Sequence, residues 1–344
     1  MRRRASGGPP WPGPAIQWQG YDSQPRILCA WRDSARLESI YGVTMFFFRV
    51  LMLGMFASGL VHAGTNPAEG CLGALGEDDA AAALAQAKQG LGKQPGQRDL
   101  LLCKGRAELS LGQGEAAIES FTAAESQACT GHERLVTHLF KGNAYNALKQ
   151  YAQAQSSYEA ALVLAEQEKN QKFQFISHLL AGEALMQQAL LPQAQRHYEA
   201  ALELAGNNNE RADANEHLAQ LKARQGLYDD AIAHQVKALV MQASDGSFDA
   251  YANAGLELGS LYINAKDFQN AEKNLNRIIL KAKDAGDGYW VAKGYYYLGL
   301  NFIAASQPDK AKAMLTQALE IGEAIGADKL MAEVNMQLQN LSQR

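Results

Sequence analysis

The chain has 344 residues, 47% of them hydrophobic and 20% charged, which is long and apolar enough to bury a sizeable core. Its 32 Lys and Arg against 36 Asp and Glu leave a formal charge of −4. That balance argues against a nucleic-acid partner, whose phosphates select a basic face.

Residues 1–44 hold Pro9, Pro10, Pro12 and Pro14, the run Arg2-Arg3-Arg4 and no periodic apolar face. They read as disordered, or as sequence upstream of the true start codon. Met45 opens MFFFRVLMLGMFASGLVHA, in which Arg49 supplies a positive charge and residues 50–60 form an apolar run. Val61-His62-Ala63 places a small residue at −1, so residues 45–63 read as a secretory signal cut after Ala63. The run is shorter than the roughly 20 apolar residues of a membrane span. The expectation is therefore a periplasmic protein with no stable membrane insertion after cleavage, the alternative being an uncleaved anchor. Residues 64–344 then form a single domain with 25 basic and 33 acidic residues, a formal charge of −8.

Residues 64–76 read as a short leader. Asp78 and Asp79 open a helix to about Leu91, with Ala81, Leu84, Ala87 and Leu91 on one face. It lacks an earlier partner and is expected to cap the first full repeat. From about Gln97 one internal pattern recurs. Gly142, Ala154, Tyr158 and Ala161 keep the same spacing as Gly105, Ala117, Phe121 and Ala124, and as Gly182, Ala194, Tyr198 and Ala201. Three more sets come after these: Ala219, Ala231, Gln235 and Ala238; Gly259, Ala271, Leu275 and Ile278; Gly299, Ala311, Leu315 and Ala318. Each set reads as two helices joined by a tight turn, with small residues where helices cross and large ones beside them. A last helix, residues 328–341, closes the chain with a polar outer face, as solenoid ends need.

These six sets resemble the tetratricopeptide repeat, with a small residue at repeat position 8, Ala at 20, an aromatic at 24 and Ala at 27. The resemblance implies an all-α fold, a right-handed superhelix (α-solenoid) of about six helix pairs with terminal capping helices. Two features depart from the family. The Trp slot at position 4 holds Leu101, His138, His178, Asn215, Gly255 and Tyr295, and the closing Pro is absent from these copies. The steps between copies are also long, at 37, 40, 37, 40 and 40 residues, against the usual period of about 34. The surplus falls after position 27 and reads as a longer second helix and a longer start to the next first helix. Such long repeats resemble those of peptide-binding bacterial regulators and receptor-adaptor scaffolds.

No phosphate loop, nucleophile elbow or HExxH is present, and the expectation is a protein that is not an enzyme and carries no cofactor or metal. Cys129, His132 and His138 are the nearest approach to a metal site, but their spacing matches no common zinc pattern. His197 and His234 fall at position 23 and are expected to face outward. The resemblance makes the first helix of each pair the lining of a concave groove. Position 9 then presents Asn143, Glu183, Gln220 and Ser260, a polar column able to hydrogen-bond a peptide backbone, and Phe140, Leu180 and Tyr297 offer apolar anchors. The expected partner is another protein or a peptide. A clamp for a C-terminal carboxylate is disfavoured, because Leu139, Ile176 and Leu180 stand where basic residues would be required. The alternative is a peptide-responsive regulator of the cytoplasmic type. Export permits a disulfide, expected between Cys71 and Cys103, with Cys129 left free.

Overall fold

The computed structural model describes residues 68–343. The segments 1–44 and 45–63, which the sequence presents as an extension and a signal, lie outside them. Among the described residues there are fifteen helices and no strand. They are α1 (Glu69–Gly76), α2 (Ala80–Lys93), α3 (Arg98–Ser110), α4 (Gly114–Ser126), α5 (Gly131–Ala147) and α6 (Tyr151–Gln167), followed by α7 (Gln171–Gln187), α8 (Leu191–Leu204) and α9 (Asn208–Arg224). The series ends with α10 (Tyr228–Asp245), α11 (Phe248–Asn264), α12 (Phe268–Asp284), α13 (Gly288–Ala304), α14 (Pro308–Ile325) and α15 (Asp328–Ser342). These residues form two compact units, one ending at Asn170 and the other beginning at Gln171. In the first, α3 packs on α4 and α5 on α6. In the second the pairs are α7 with α8, α9 with α10, α11 with α12, and α13 with α14.

The pairing follows from the repeated residues. The ring of Phe121 occupies the space a side chain on Gly105 would need, and Tyr158 and Tyr198 do the same at Gly142 and Gly182. Leu275 and Leu315 fill the equivalent space at Gly259 and Gly299. The position-20 alanines Ala117, Ala154, Ala194, Ala231, Ala271 and Ala311 are completely buried. A bare backbone on one helix thus receives a large side chain from the other, which brings the pair into close packing. The fourth repeat is the exception. It has Ala219 at position 8, and its position-24 residue Gln235 is buried and polar, donating from Nε2 to the carbonyl of Ala254 at 3.0 Å.

Short polar residues start the first helices. Thr130 and Glu133 form a reciprocal capping box at α5, and Asn207, Ser247 and Asp287 each cap the next helix by accepting from its early N–H groups. The turn inside each repeat is closed by a residue in the left-handed region at repeat position 15. Gly112 and Gly226 fill it twice, and Lys149, Ala189, Lys266 and Ser306 fill it with φ between 57° and 61°. The two step lengths also have a local cause. The second helices α4 and α8 have 13 and 14 residues and precede 37-residue steps, whereas α6, α10 and α12 have 17 or 18 and precede 40-residue steps. The difference is about one helical turn.

Two details differ from the sequence reading. The leader contains a helix, α1, which packs Cys71 and Ala74 against Ala83, Leu84, Ala87 and Ala107. Its eight residues include three glycines and carry no apolar period, so pattern alone does not reveal it. The Sγ atoms of Cys71 and Cys103 lie 2.02 Å apart, a disulfide that ties α1 to α3. In the full chain Cys129, exposed just before the Thr130 cap, is also disulfide-bonded, whereas the expectation of a free thiol concerns the chain that begins at Gly64. His197 and His234 do not face outward. Each turns back to position 4 of its own repeat, His197 to the ring of His178 and His234 to Oδ1 of Asn215 at 3.0 Å. Polar residues in the slot that a Trp would fill give the histidines a partner inside.

Candidate functional site

In the second unit, the first helices α7, α9 and α11 bound a cavity of about 570 Å³, with α10 completing the wall. Glu183, Gln220 and Ser260, from three successive repeats, line it together. They are spaced one repeat apart at position 9, and the helix pairing turns all three the same way. Position 13 adds Gln187, Arg224 and Asn264 to the wall, and Glu257 enters from position 6. Met186, Ala219, Ala223 and Leu261 supply apolar surface. The lining combines amide, hydroxyl and carboxylate groups over short apolar side chains. Such a surface can hydrogen-bond a peptide backbone and seat small apolar side chains. Arg224 is held in place by donating to the carbonyl of Met186 at 2.7 Å.

The electrostatics of this face come from carboxylates partly withdrawn from water. Burial pushes the Glu216 carboxyl up to about 8, and the neighbouring charges of Asp213 and Glu257 add to the rise. Asp213 is pushed up to about 6 by burial and by Glu210. Glu257 is raised by burial and partly offset by Lys293, whose own pKa burial lowers. Burial and the field of Glu257 also raise the Tyr297 hydroxyl.

The other expected groove residues are placed differently. Asn143 lies in the first unit, half-buried, and its Oδ1 accepts from the Tyr158 hydroxyl at 2.8 Å. Phe140, also in the first unit, stacks on Phe121 with centroids 5.7 Å apart, and the Arg106 guanidinium lies 5.3 Å from its ring. Leu180 is buried, and it does not line the cavity. Tyr297 meets Tyr296 edge-on at 5.7 Å and is likewise outside the cavity lining. Sequence reasoning misses Gln187, Arg224 and Asn264. The position-13 residues follow from the same family rule that gives position 9, so their signal is present in the sequence.

His132 and His138 diverge, the first toward Glu168 and the second toward Glu125. Among the described residues no group of three His, Cys, Asp or Glu side chains is placed to hold a metal ion, and no helix is long and apolar enough to cross a membrane.

The geometry is that of an α-helical repeat protein with a polar lining on its first helices. A tetratricopeptide repeat model matches residues 137–168. The fold is similar to a tetratricopeptide repeat protein from Parabacteroides merdae ATCC 43184, at 18% identity and a TM-score of 0.53, covering 78% of this chain and 96% of that one. It is also similar to the apo form of RapI, at 13% identity and a TM-score of 0.53, covering 72% and 97%. A third similar structure is a Rap protein complexed with Competence and Sporulation Factor, at 15% identity and a TM-score of 0.51, covering 75% and 79%. No curated protein matches the sequence. The repeat match and the fold together support a tetratricopeptide repeat protein.

Proposed function

We propose that this protein is an exported scaffold or assembly factor that holds a segment of another protein against the first-helix face of its second unit. The observation that carries the reading is the convergence of Glu183, Gln220 and Ser260 on one cavity. Periplasmic location is part of the proposal and is supported by the Arg49, apolar-run and Ala63 pattern of residues 45–63. One observation favours a second reading, a peptide-responsive regulator: a similar structure is a Rap protein complexed with Competence and Sporulation Factor.

The test joins two measurements. Glu183→Ala, Gln220→Ala and Ser260→Ala are combined, and the variant is compared with wild type for partner capture from the periplasm and for thermal unfolding. Capture falls while the melting temperature holds if the cavity binds the partner. Undiminished capture removes this face from consideration. N-terminal sequencing of the cellular protein decides export, with Gly64 expected first, and an intact N-terminus retained in the cytoplasm would move the reading to the regulator.

A further inference from the structure

The second unit carries another concavity, walled by second helices. It lies between α10 and α12, over α11, with a volume of about 640 Å³. One wall is apolar: Val236 and Val240 project from α10 with 37% and 63% of their surface exposed. The floor is aromatic and aliphatic, built from Tyr251, Leu258 and Tyr262 of α11. The other wall is basic. Lys273, Arg277 and Lys281 recur every four residues along α12, and all three are exposed. No carboxylate lines this concavity. None of the three cations forms an ion pair among the described residues. Arg277 keeps a hydrogen bond to Asn274, and Lys281 lies 4.9 Å from the Tyr251 ring centroid, so both heads are positioned at the rim. An adjoining concavity of about 440 Å³ shares Ala243, Tyr251 and Lys281 and extends the slot past Phe248, where Asp284 is the one acid on its lining.

We infer that this slot docks an acidic amphipathic helix from a partner protein. The three cations are spaced about 6 Å apart along α12, the rise of four helical residues. A helix laid beside α12 repeats its side chains at the same interval. Carboxylates at its positions i, i+4 and i+8 therefore each meet one cation, and its apolar stripe enters the slot against Val236, Val240 and the tyrosine floor. Exposed valines on a surface second helix and a basic row without carboxylate partners are both accounted for by one occupant. A polyanion such as nucleic acid is disfavoured by the overall negative charge of the chain and by the apolar wall.

The test pans a random 15-residue peptide library against the full chain and measures the enriched peptides by fluorescence polarisation. The expected peptides carry acidic residues at four-residue spacing alongside a leucine-rich stripe. Charge reversal, Lys273→Glu with Arg277→Glu, and separately Val240→Glu, each weaken them by about tenfold or more. All of these positions are exposed, and an unchanged melting temperature confirms the fold. Glu183→Ala with Gln220→Ala leaves this binding intact, which separates the slot from the groove. The inference is overturned if no acidic peptides are enriched, or if the charge reversal leaves their binding unchanged. It is equally overturned if the wild type self-associates in sedimentation and Val240→Glu abolishes it, since the occupant is then a second copy. Binding to phosphatidylglycerol vesicles that the charge reversal removes, with no peptide enriched, would assign the slot to a lipid surface instead.

Discussion

A methyl group on Gly182 would lie 2.5 Å from Cε1 of Tyr198 and 2.8 Å from Cδ1. The ring is completely buried, and Tyr198 also stacks on His217 with centroids 5.0 Å apart. The ring therefore has neighbours on more than one side. Gly182→Ala is expected to destabilise the second unit by about 1–3 kcal/mol, as overpacking does. Gly73 of α1 is the control, because a Cβ there meets nothing within 4 Å. Gly73→Ala is expected to be neutral or slightly stabilising, since Ala has the higher helix propensity. Denaturant unfolding of both variants checks the contrast.

Position 15 of the repeats offers a matched pair. Gly226 has φ 76° and Ala189 has φ 59°. A side chain in the left-handed region costs about 1–2 kcal/mol. Gly226→Ala is expected to lower stability by about that amount, because no neighbour lies within 4 Å of a Cβ there and only the backbone effect operates. Ala189→Gly relieves the same strain but adds freedom to the unfolded chain, so a gain of a few tenths of a kcal/mol is expected. Thermal unfolding of the two variants in parallel tests both signs.

Glu216 gives a pH dependence with a definite sign. Its carboxyl titrates near 8 in the folded protein against 4.5 for the free side chain. Between those values the folded state holds a proton that the unfolded state has lost. Stability from this group is therefore present below pH 4.5 and is lost as pH rises to about 8. Glu216→Gln removes that loss. The variant should melt higher than wild type at about pH 8 and above, and at the same temperature near pH 4. Equal melting temperatures across the whole range would show that Glu216 is not held neutral.

The Cys71–Cys103 bond joins residues 32 apart in sequence. Cys71→Ser with Cys103→Ser is expected to cost about 2–4 kcal/mol, felt locally as release of α1 and α2. Limited proteolysis reads this directly, with early cleavage before Arg98 in the variant and protection of α5 and α6 in both proteins.

The helix pairs are legible in the sequence because their signal is a fixed spacing of small and large residues, and steric fit between Gly142 and Tyr158 needs nothing else. Glu183, Gln220 and Ser260 are legible for the same reason, being one register position carried through three repeats. Other features depend on the surroundings of a side chain. Phe140 shares the register of a groove anchor, yet it lies against Phe121, a choice between two apolar surfaces that spacing does not decide. His197 and His234 turn inward because polar residues at position 4 give them partners 19 residues earlier in the chain. Helix α1 depends on a covalent bond and on burial of Cys71, neither of which has a period.

The buried Gln235 limits how this array can change. Its amide crosses from the second helix of one repeat to the first helix of the next and closes on a main-chain carbonyl. In the other five repeats the equivalent residue is a phenyl or phenol ring or a leucine, sitting in its own repeat's glycine notch. A copy of any of those repeats placed here would bring a ring or a branched carbon to meet Ala219, and would leave the Ala254 carbonyl without that donor. The fourth and fifth repeats are therefore keyed to each other, so lengthening or shortening the array by whole units is easier elsewhere than at this joint.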